Sequence, residues 1–280
     1  MAACTVLITG CSSGIGHALA LELHARGHVV YATARKAESL QTLAEKGLKT
    51  LVLDVNDEAS IAQAVAQVQA EQGHLNLLVN NAGFSQVGAV LDLTREDLRR
   101  QYETNVIAPF SVARTALPLL RAARAQRQAA TIANVGSIVG LFATPFAGAY
   151  CSSKSALHAL TDALRMELAP FGIAVLTVQP GGVQSAFGQH AEAALRLPAD
   201  SPFQGVAAGI RARAQAGQVR ATPAEVFVKP LADALLRARP PVRLRGGRGS
   251  TVLPVLARVL PTRWFDALLS RKFGLARWRP

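Results

Sequence analysis

Residues 5–16 read Thr5-Val6-Leu7-Ile8-Thr9-Gly10-Cys11-Ser12-Ser13-Gly14-Ile15-Gly16, a short apolar run passing directly into a glycine-rich loop. Thr5–Thr9 predicts a buried strand, and a helix is expected from about His17. The glycines let the backbone turn tightly and approach a phosphate. A helix N-terminus placed there offers free N–H groups and the positive end of a dipole. A glycine-rich loop alone is equally an ordinary turn; its place between the first strand and the first helix is what gives it chemical meaning.

Working outward, Val29–Ala34, Thr50–Leu53, Leu77–Asn80, Thr131–Val135 and Ile173–Gln179 also read as strands, separated by segments of helical period. Such alternation implies a parallel sheet. The runs are almost wholly apolar, so both sheet faces should be covered by helices. The expected fold is therefore α/β, a doubly wound parallel sheet of Rossmann type with about seven strands, its ligands at the carboxyl ends of the strands. Residues 1–245 are expected to form one cofactor-binding and catalytic domain. Within it, 184–218, Ala-rich with scattered Phe187, Leu195, Leu197 and Phe203, reads as a substrate lid. Thr222 is expected to cap a helix running to about Ala238, ahead of a short Val242–Leu244 strand. Residues 246–280 form a basic amphipathic extension whose apolar positions recur at helical spacing, interrupted by Pro254 and Pro261.

Composition narrows the classes. The chain has 280 residues, half of them hydrophobic, and a formal net charge of +12. Residues 1–205 balance 15 basic against 15 acidic side chains, whereas residues 206–280 hold 15 basic and 3 acidic ones, so the excess lies in the last quarter. The basic residues are mostly Arg without interleaved aromatics, which favours a solvated face over a nucleic-acid surface. A basic amphipathic helix with Trp can also lie on a lipid surface, but packing on the domain or on a second subunit is the preferred reading. No run approaches the roughly 18 uninterrupted apolar residues of a membrane span, and a cytoplasmic protein is expected. Cys4, Cys11 and Cys151 are not spaced as metal ligands and suit reduced thiols, so no metal is expected.

Further residues fall just after strands. Arg35 and Lys36 follow the second, where a carboxylate would accept hydrogen bonds from the adenosine ribose; its absence, with two cations present, favours NADP(H) over NAD(H). Asp54 follows the third strand and Asn80-Asn81-Ala82-Gly83 the fourth, small residues that keep a cleft open. Ser137 stands past the fifth, Asn105 lies in a helical segment, and Tyr150 and Lys154 are four apart at a helix start. That spacing puts phenol and ammonium on one helix face, and a nearby cation favours phenolate, so the phenol is expected to be drawn down from its ordinary pKa of about 10.

Taken together, Thr9-Gly10-x3-Gly14-x-Gly16, Asp54, Asn80 to Gly83, Asn105, Ser137, Tyr150-x3-Lys154 and Pro180-Gly181 resemble the short-chain dehydrogenase/reductase family over roughly residues 4–245. More loosely, the chain is similar to its 17β-hydroxysteroid and retinol dehydrogenase branch. The resemblance implies that Tyr150 exchanges the proton and Ser137 orients the substrate oxygen. Lys154 would hold the nicotinamide ribose, and Asn105 would support a water relay. It implies a cofactor surface of Gly10, Ser12, Ser13, Gly14, Ile15, Gly16, Arg35, Asp54, Val55, Asn81, Ala82 and Gly83, continued by Tyr150, Lys154, Pro180, Gly181, Val183 and Ser185. Phe142, Phe146 and Phe187 suggest an apolar substrate, though aromatics here are equally core. The expected activity is hydride transfer between NADP(H) and an apolar ketone, aldehyde or alcohol. The alternatives are a 3-oxoacyl thioester reductase served by an acidic carrier protein, and a non-catalytic NADP-binding sensor or membrane-associated scaffold. A homodimer or monomer is expected rather than a tetramer.

Overall fold

Thr5–Ile8 (β1) is buried along its whole length, and the molecule is laid out on either side of it. The computed structural model describes residues 3–279. Its strands are β1, β2 (Val29–Ala34), β3 (Lys49–Val52), β4 (Leu77–Asn80), β5 (Thr131–Val135), β6 (Ala174–Pro180) and β7 (Arg243–Gly246). They form one sheet in the order β3-β2-β1-β4-β5-β6-β7. Every pair is parallel, with Thr5 opposite Val29 and Val6 opposite Leu77 in the register of β1. The direction of winding reverses between β1 and β4, which is where a doubly wound sheet opens a crevice at its carboxyl edge.

The connecting helices are α1 (Gly14–Ala25), α2 (Gln41–Ala44), α3 (Glu58–Gln72), α4 (Arg95–Tyr102), α5 (Ala108–Ala125), α6 (Gly148–Leu168), α7 (Phe187–Ala193), α8 (Ala207–Gln215) and α9 (Ala224–Leu235). Two more, α10 (Val252–Val259) and α11 (Thr262–Lys272), make up the C-terminal extension. On one sheet face, Leu19 and Leu23 of α1 and Phe227, Val228 and Leu231 of α9 pack over Val6, Ile8 and Leu176. On the other, Val65 and Val68 of α3 and Val112, Leu119 and Leu120 of α5 pack over Leu7, Leu78 and Ile132. Each such side chain, fully buried, contributes about 1.5–3 kcal/mol of transfer free energy. Local signals start the helices: Asp57 accepts from the Ala59 N–H at the head of α3. Thr94 and Asp97 form a reciprocal capping box on α4.

Arg95–Ala125 is a continuous helical run of 31 residues, long and apolar enough by length and composition to cross a membrane, but half buried. Its inward face is the packing surface for β1 and β4, so it serves as a core helix. A π turn at Glu103–Ile107 interrupts it and carries Asn105, the kind of local irregularity often found at functional sites.

Several boundaries differ from expectation. The first helix begins at Gly14 rather than near His17, because Ser13, extended at φ −165°, is its N-cap and Gly14–Gly16 already form its first turn. β3 starts one residue early, and β6 and β7 run on to Pro180 and Gly246. Thr222 does not cap α9. Its N–H donates to the Gly182 carbonyl and its carbonyl accepts from Gln184, a strand-like bridge that hands the N-cap to Pro223. α9 ends at Leu235, short of Ala238. Pro254 does not interrupt the extension: it sits in the first turn of α10, where its missing N–H costs nothing, and Pro261 precedes α11.

A third cluster joins the 184–218 segment to that extension. Ala191, Val206, Ile210 and Ala214 pack with Phe265, Leu269 and Phe273 of the C-terminal end, and with Val87, Ala89 and Phe146. The outward sides of α10 and α11 leave Val252, Val255, Val259, Trp264 and Leu268 exposed.

Candidate active site

The glycine loop is shaped by what lies against it. Gly10 and Gly14 have φ of +73° and +61°, and a Cβ on them would stand 2.8 Å from the Ala82 Cα and 2.5 Å from the Ser185 Cβ. A Cβ on Gly16 would collide with the Asn81 amide and the Gly10 carbonyl. Asn81 is committed here: its Nδ2 donates to the Thr9 and Gly10 carbonyls at 2.9 and 2.8 Å. The Thr9 hydroxyl oxygen accepts from the Asn81 and Ala82 N–H groups, both at 3.0 Å. Asn81 thus holds the loop in place with its side chain. Ser13 makes no side-chain cap on α1, so the orphan N–H groups of that first turn are open to an external acceptor. Ser12 and Ile15 flank this opening.

Arg35 and Lys36 stand exposed just past β2, and among the described residues neither has a carboxylate partner. On the other flank of the crevice, Asp54 accepts from the Asn56 N–H, and Val55 is buried with Ala82 packed against its cluster. Past β6, the Gly181 N–H donates to the Gly246 carbonyl, Val183 is buried, and the Ser185 N–H donates to Gln218. Gln218 also donates to the Val183 carbonyl, and so clamps the 183–185 turn against the glycine loop. An uncapped helix end and a glycine cradle fit a dinucleotide, and two exposed cations stand at the end of β2.

The chemical groups converge beyond β5. Ser137 and Tyr150 share a hydrogen bond, and Phe187 stacks at a tilt on the Tyr150 ring, 5.6 Å between centroids. The Lys154 Nζ lies 5.9 Å from the same ring centroid and donates to the Val135 carbonyl at 2.8 Å. Asn105 is fully buried; its Nδ2 donates to the Phe84 carbonyl and to the Ser153 hydroxyl, and its Oδ1 accepts from the Phe84 N–H. It therefore ties the β4 loop, with Gly83, to the Tyr150 helix. A Cβ on Gly83 would lie 3.0 Å from the Asn105 Oδ1.

One expectation about this cluster is corrected. On balance the Tyr150 phenol is raised rather than drawn down. Burial of the hydroxyl pushes it up to about 12, and the Ser137 hydrogen bond and the charge of Arg213 offset only part of that. Lys154 is itself pushed down to about 8 by burial. Phe146 is also placed differently. It is buried in the third cluster, with φ +63° just ahead of α6. Phe142 packs edge-on against Phe265 of α11, centroids 5.5 Å apart. Of the three aromatics, only Phe187 meets the Tyr150 ring.

Three residues near the site have no local sequence signal. His158, one turn after Lys154, is wedged beside Gly136 and Gly140; a Cβ on Gly140 would come within 2.5 Å of its ring. Its Nε2 accepts from the Ser137 N–H at 3.4 Å, and burial pushes its pKa down to about 4. Asn134 joins Asn80 on β4 to Thr161 on α6 through hydrogen bonds of 2.8 and 3.0 Å. Arg213, on α8, is buried and donates through Nε to the Thr144 hydroxyl at 2.7 Å.

Comparison with known proteins places this arrangement. A family model described as short chain dehydrogenase matches residues 4–195. The short-chain dehydrogenase ptmH of Penicillium ochrochloron is 39% identical over 97% of this chain and 98% of that protein. The NADPH-dependent 1-acyldihydroxyacetone phosphate reductase of Schizosaccharomyces pombe is 41% identical over 64% of this chain and 60% of its own. A solved short-chain dehydrogenase from Streptomyces avermitilis superposes with a TM-score of 0.79 at 31% identity, covering 99% of this chain and 98% of that one.

Proposed function

Because the chain belongs to the short-chain dehydrogenase/reductase family, a nucleotide-binding oxidoreductase acting on CH–OH and C=O groups, we propose that it is an NADPH-dependent reductase of apolar, lipid-like ketones or aldehydes. The observation that carries the reaction is the gathering of Ser137 and Lys154 at the Tyr150 side chain. A nicotinamide held there would supply the hydride. The Tyr150 phenol, pushed up to about 12, is protonated at neutral pH and can give its proton to the substrate oxygen as negative charge develops there. Ser137 shares that oxygen, and its backbone is steadied from behind by His158. Asn105 fixes the loop after β4, and Lys154, on the Tyr150 helix, would hold the ribose.

Arg35 and Lys36 support the NADP(H) preference: both are exposed, neither has a carboxylate partner among the described residues, and both are free to meet a 2′-phosphate. Phe187 over the phenol supports an apolar substrate. So does a relative whose name specifies an acylated substrate and NADPH. The test is NADPH and NADH consumption across a panel of long-chain ketones and aldehydes. NADPH-dependent turnover supports the reading, and an equal rate with NADH would reject the cofactor assignment.

A further inference from the structure

Arg213 stands apart from the other arginines of the basic C-terminal quarter. Arg211 and Arg220 are exposed, and Arg243 is paired with Asp162. Arg213 is 9% exposed, and its recorded hydrogen bond is the one from Nε to the Thr144 hydroxyl. Among the described residues no carboxylate lies within ion-pair distance of it, and no acceptor meets its two terminal nitrogens. Those two nitrogens are not among the buried polar atoms that lack a partner, so they keep contact with solvent and are open to an external acceptor.

Its position says where a partner would be. Thr144, which holds Nε, lies on the segment between Ser137 and Tyr150, and the Arg213 charge is felt at the Tyr150 hydroxyl. The neighbours on α8, Ile210 and Ala214, are apolar and packed with Phe146 and Phe265, while Phe187 covers the phenol. The Tyr150 hydroxyl therefore has an apolar wall at Phe187, and the Arg213 fork held at Thr144 offers unclaimed N–H donors whose shape matches the two oxygens of a carboxylate or phosphate.

We propose that Arg213 is the oxyanion-recognising residue of the substrate site, so that the substrate is an apolar carbonyl compound that also bears a carboxylate or phosphate. This rests on the reading of Tyr150 as the reactive group and narrows the substrate class. Nε stays on Thr144, and the terminal nitrogens grip the anion, which orients the carbonyl toward Ser137 and Tyr150.

Binding without turnover tests it: isothermal titration of octanoate, octyl phosphate and methyl octanoate into the NADPH-loaded full chain. A charged hydrogen-bonded contact predicts that at least one of the anions binds about tenfold to a hundredfold tighter than the ester. Arg213→Gln should abolish that preference and Arg213→Lys should retain part of it, with circular dichroism reporting that both variants are folded. Equal affinity of wild type for acid, phosphate and ester overturns the proposal, whatever the variants do. So does an unchanged preference in a folded Arg213→Gln, which would make Arg213 a strut for Thr144. Because the readout needs no catalysis, its failure is separable from a failure of the Tyr150 assignment, which is read from turnover alone.

Discussion

The wedge behind Ser137 makes a quantitative prediction about pH. His158 is 9% exposed, and burial is the largest cause holding its pKa at about 4, against an ordinary 6.5. The folded chain therefore binds this proton more weakly than the unfolded chain does. Between pH 6.5 and 4 the unfolded state carries more protons, so stability falls as pH falls through that window. With those two values, His158 alone costs about 2 kcal/mol at pH 5 relative to pH 7, approaching about 3 kcal/mol below pH 4. His28, also lowered by burial, acts in the same direction, so the measurement must be a difference. Urea unfolding of wild type and His158→Gln at pH 7 and pH 5 provides it, since Gln keeps an acceptor for the Ser137 N–H and does not titrate, and His28 is common to both. Wild type should lose about 2 kcal/mol more than the variant. An equal loss in the two proteins would show that His158 is not the buried neutral wedge described, and would leave the support of Ser137 without this residue.

Other sites predict distinct outcomes. Gly16→Ala places a methyl group against the Asn81 amide and the Gly10 carbonyl, so NADPH affinity, followed by fluorescence titration, should fall by about tenfold or more as the loop is displaced. Arg35→Asp should move the NADPH-to-NADH ratio of kcat/KM toward NADH by about tenfold or more, because it replaces a free cation with a charge that repels a 2′-phosphate; an unmoved ratio would remove Arg35 from the phosphate site. Truncation after Gly246 strips Phe265, Leu269 and Phe273 from the third cluster. The loss of even one such buried aromatic is worth about 3–5 kcal/mol. Limited proteolysis should then open the 184–218 segment first, while the sheet stays protected.

How much of this the sequence discloses depends on whether a signal is local. The strands announce themselves because parallel strands buried on both faces are apolar without alternation, as Val6, Leu7 and Ile8 are. Their ends blur by a residue or two, since nothing in the side chains of Leu53 or Val242 marks where a ladder stops. Tyr150 and Lys154 are legible as a pair because four residues is one helical turn. The phenol's pKa is not, since burial is a property of the surroundings and here outweighs the neighbouring cation. Thr222 looked like a cap by type, but a carbonyl and N–H waiting at Gly182 and Gln184 recruited its backbone instead. Arg213, His158 and Gln218 carry no mark at all. Each becomes informative only when the fold brings Thr144, Gly136 or Ser185 against it. The phenylalanines were ambiguous for the same reason: Phe146 faces the core and Phe187 faces the phenol.

The central claim is that Tyr150 gives the proton that completes carbonyl reduction. Tyr150→Phe removes one oxygen and leaves the ring that Phe187 stacks on. Single-turnover NADPH oxidation by wild type and variant, with NADPH affinity measured on the same samples, tests it directly. The expected result is a rate lower by about a hundredfold or more with cofactor affinity nearly unchanged. A variant that binds NADPH normally and oxidises it at close to the wild-type rate would contradict it.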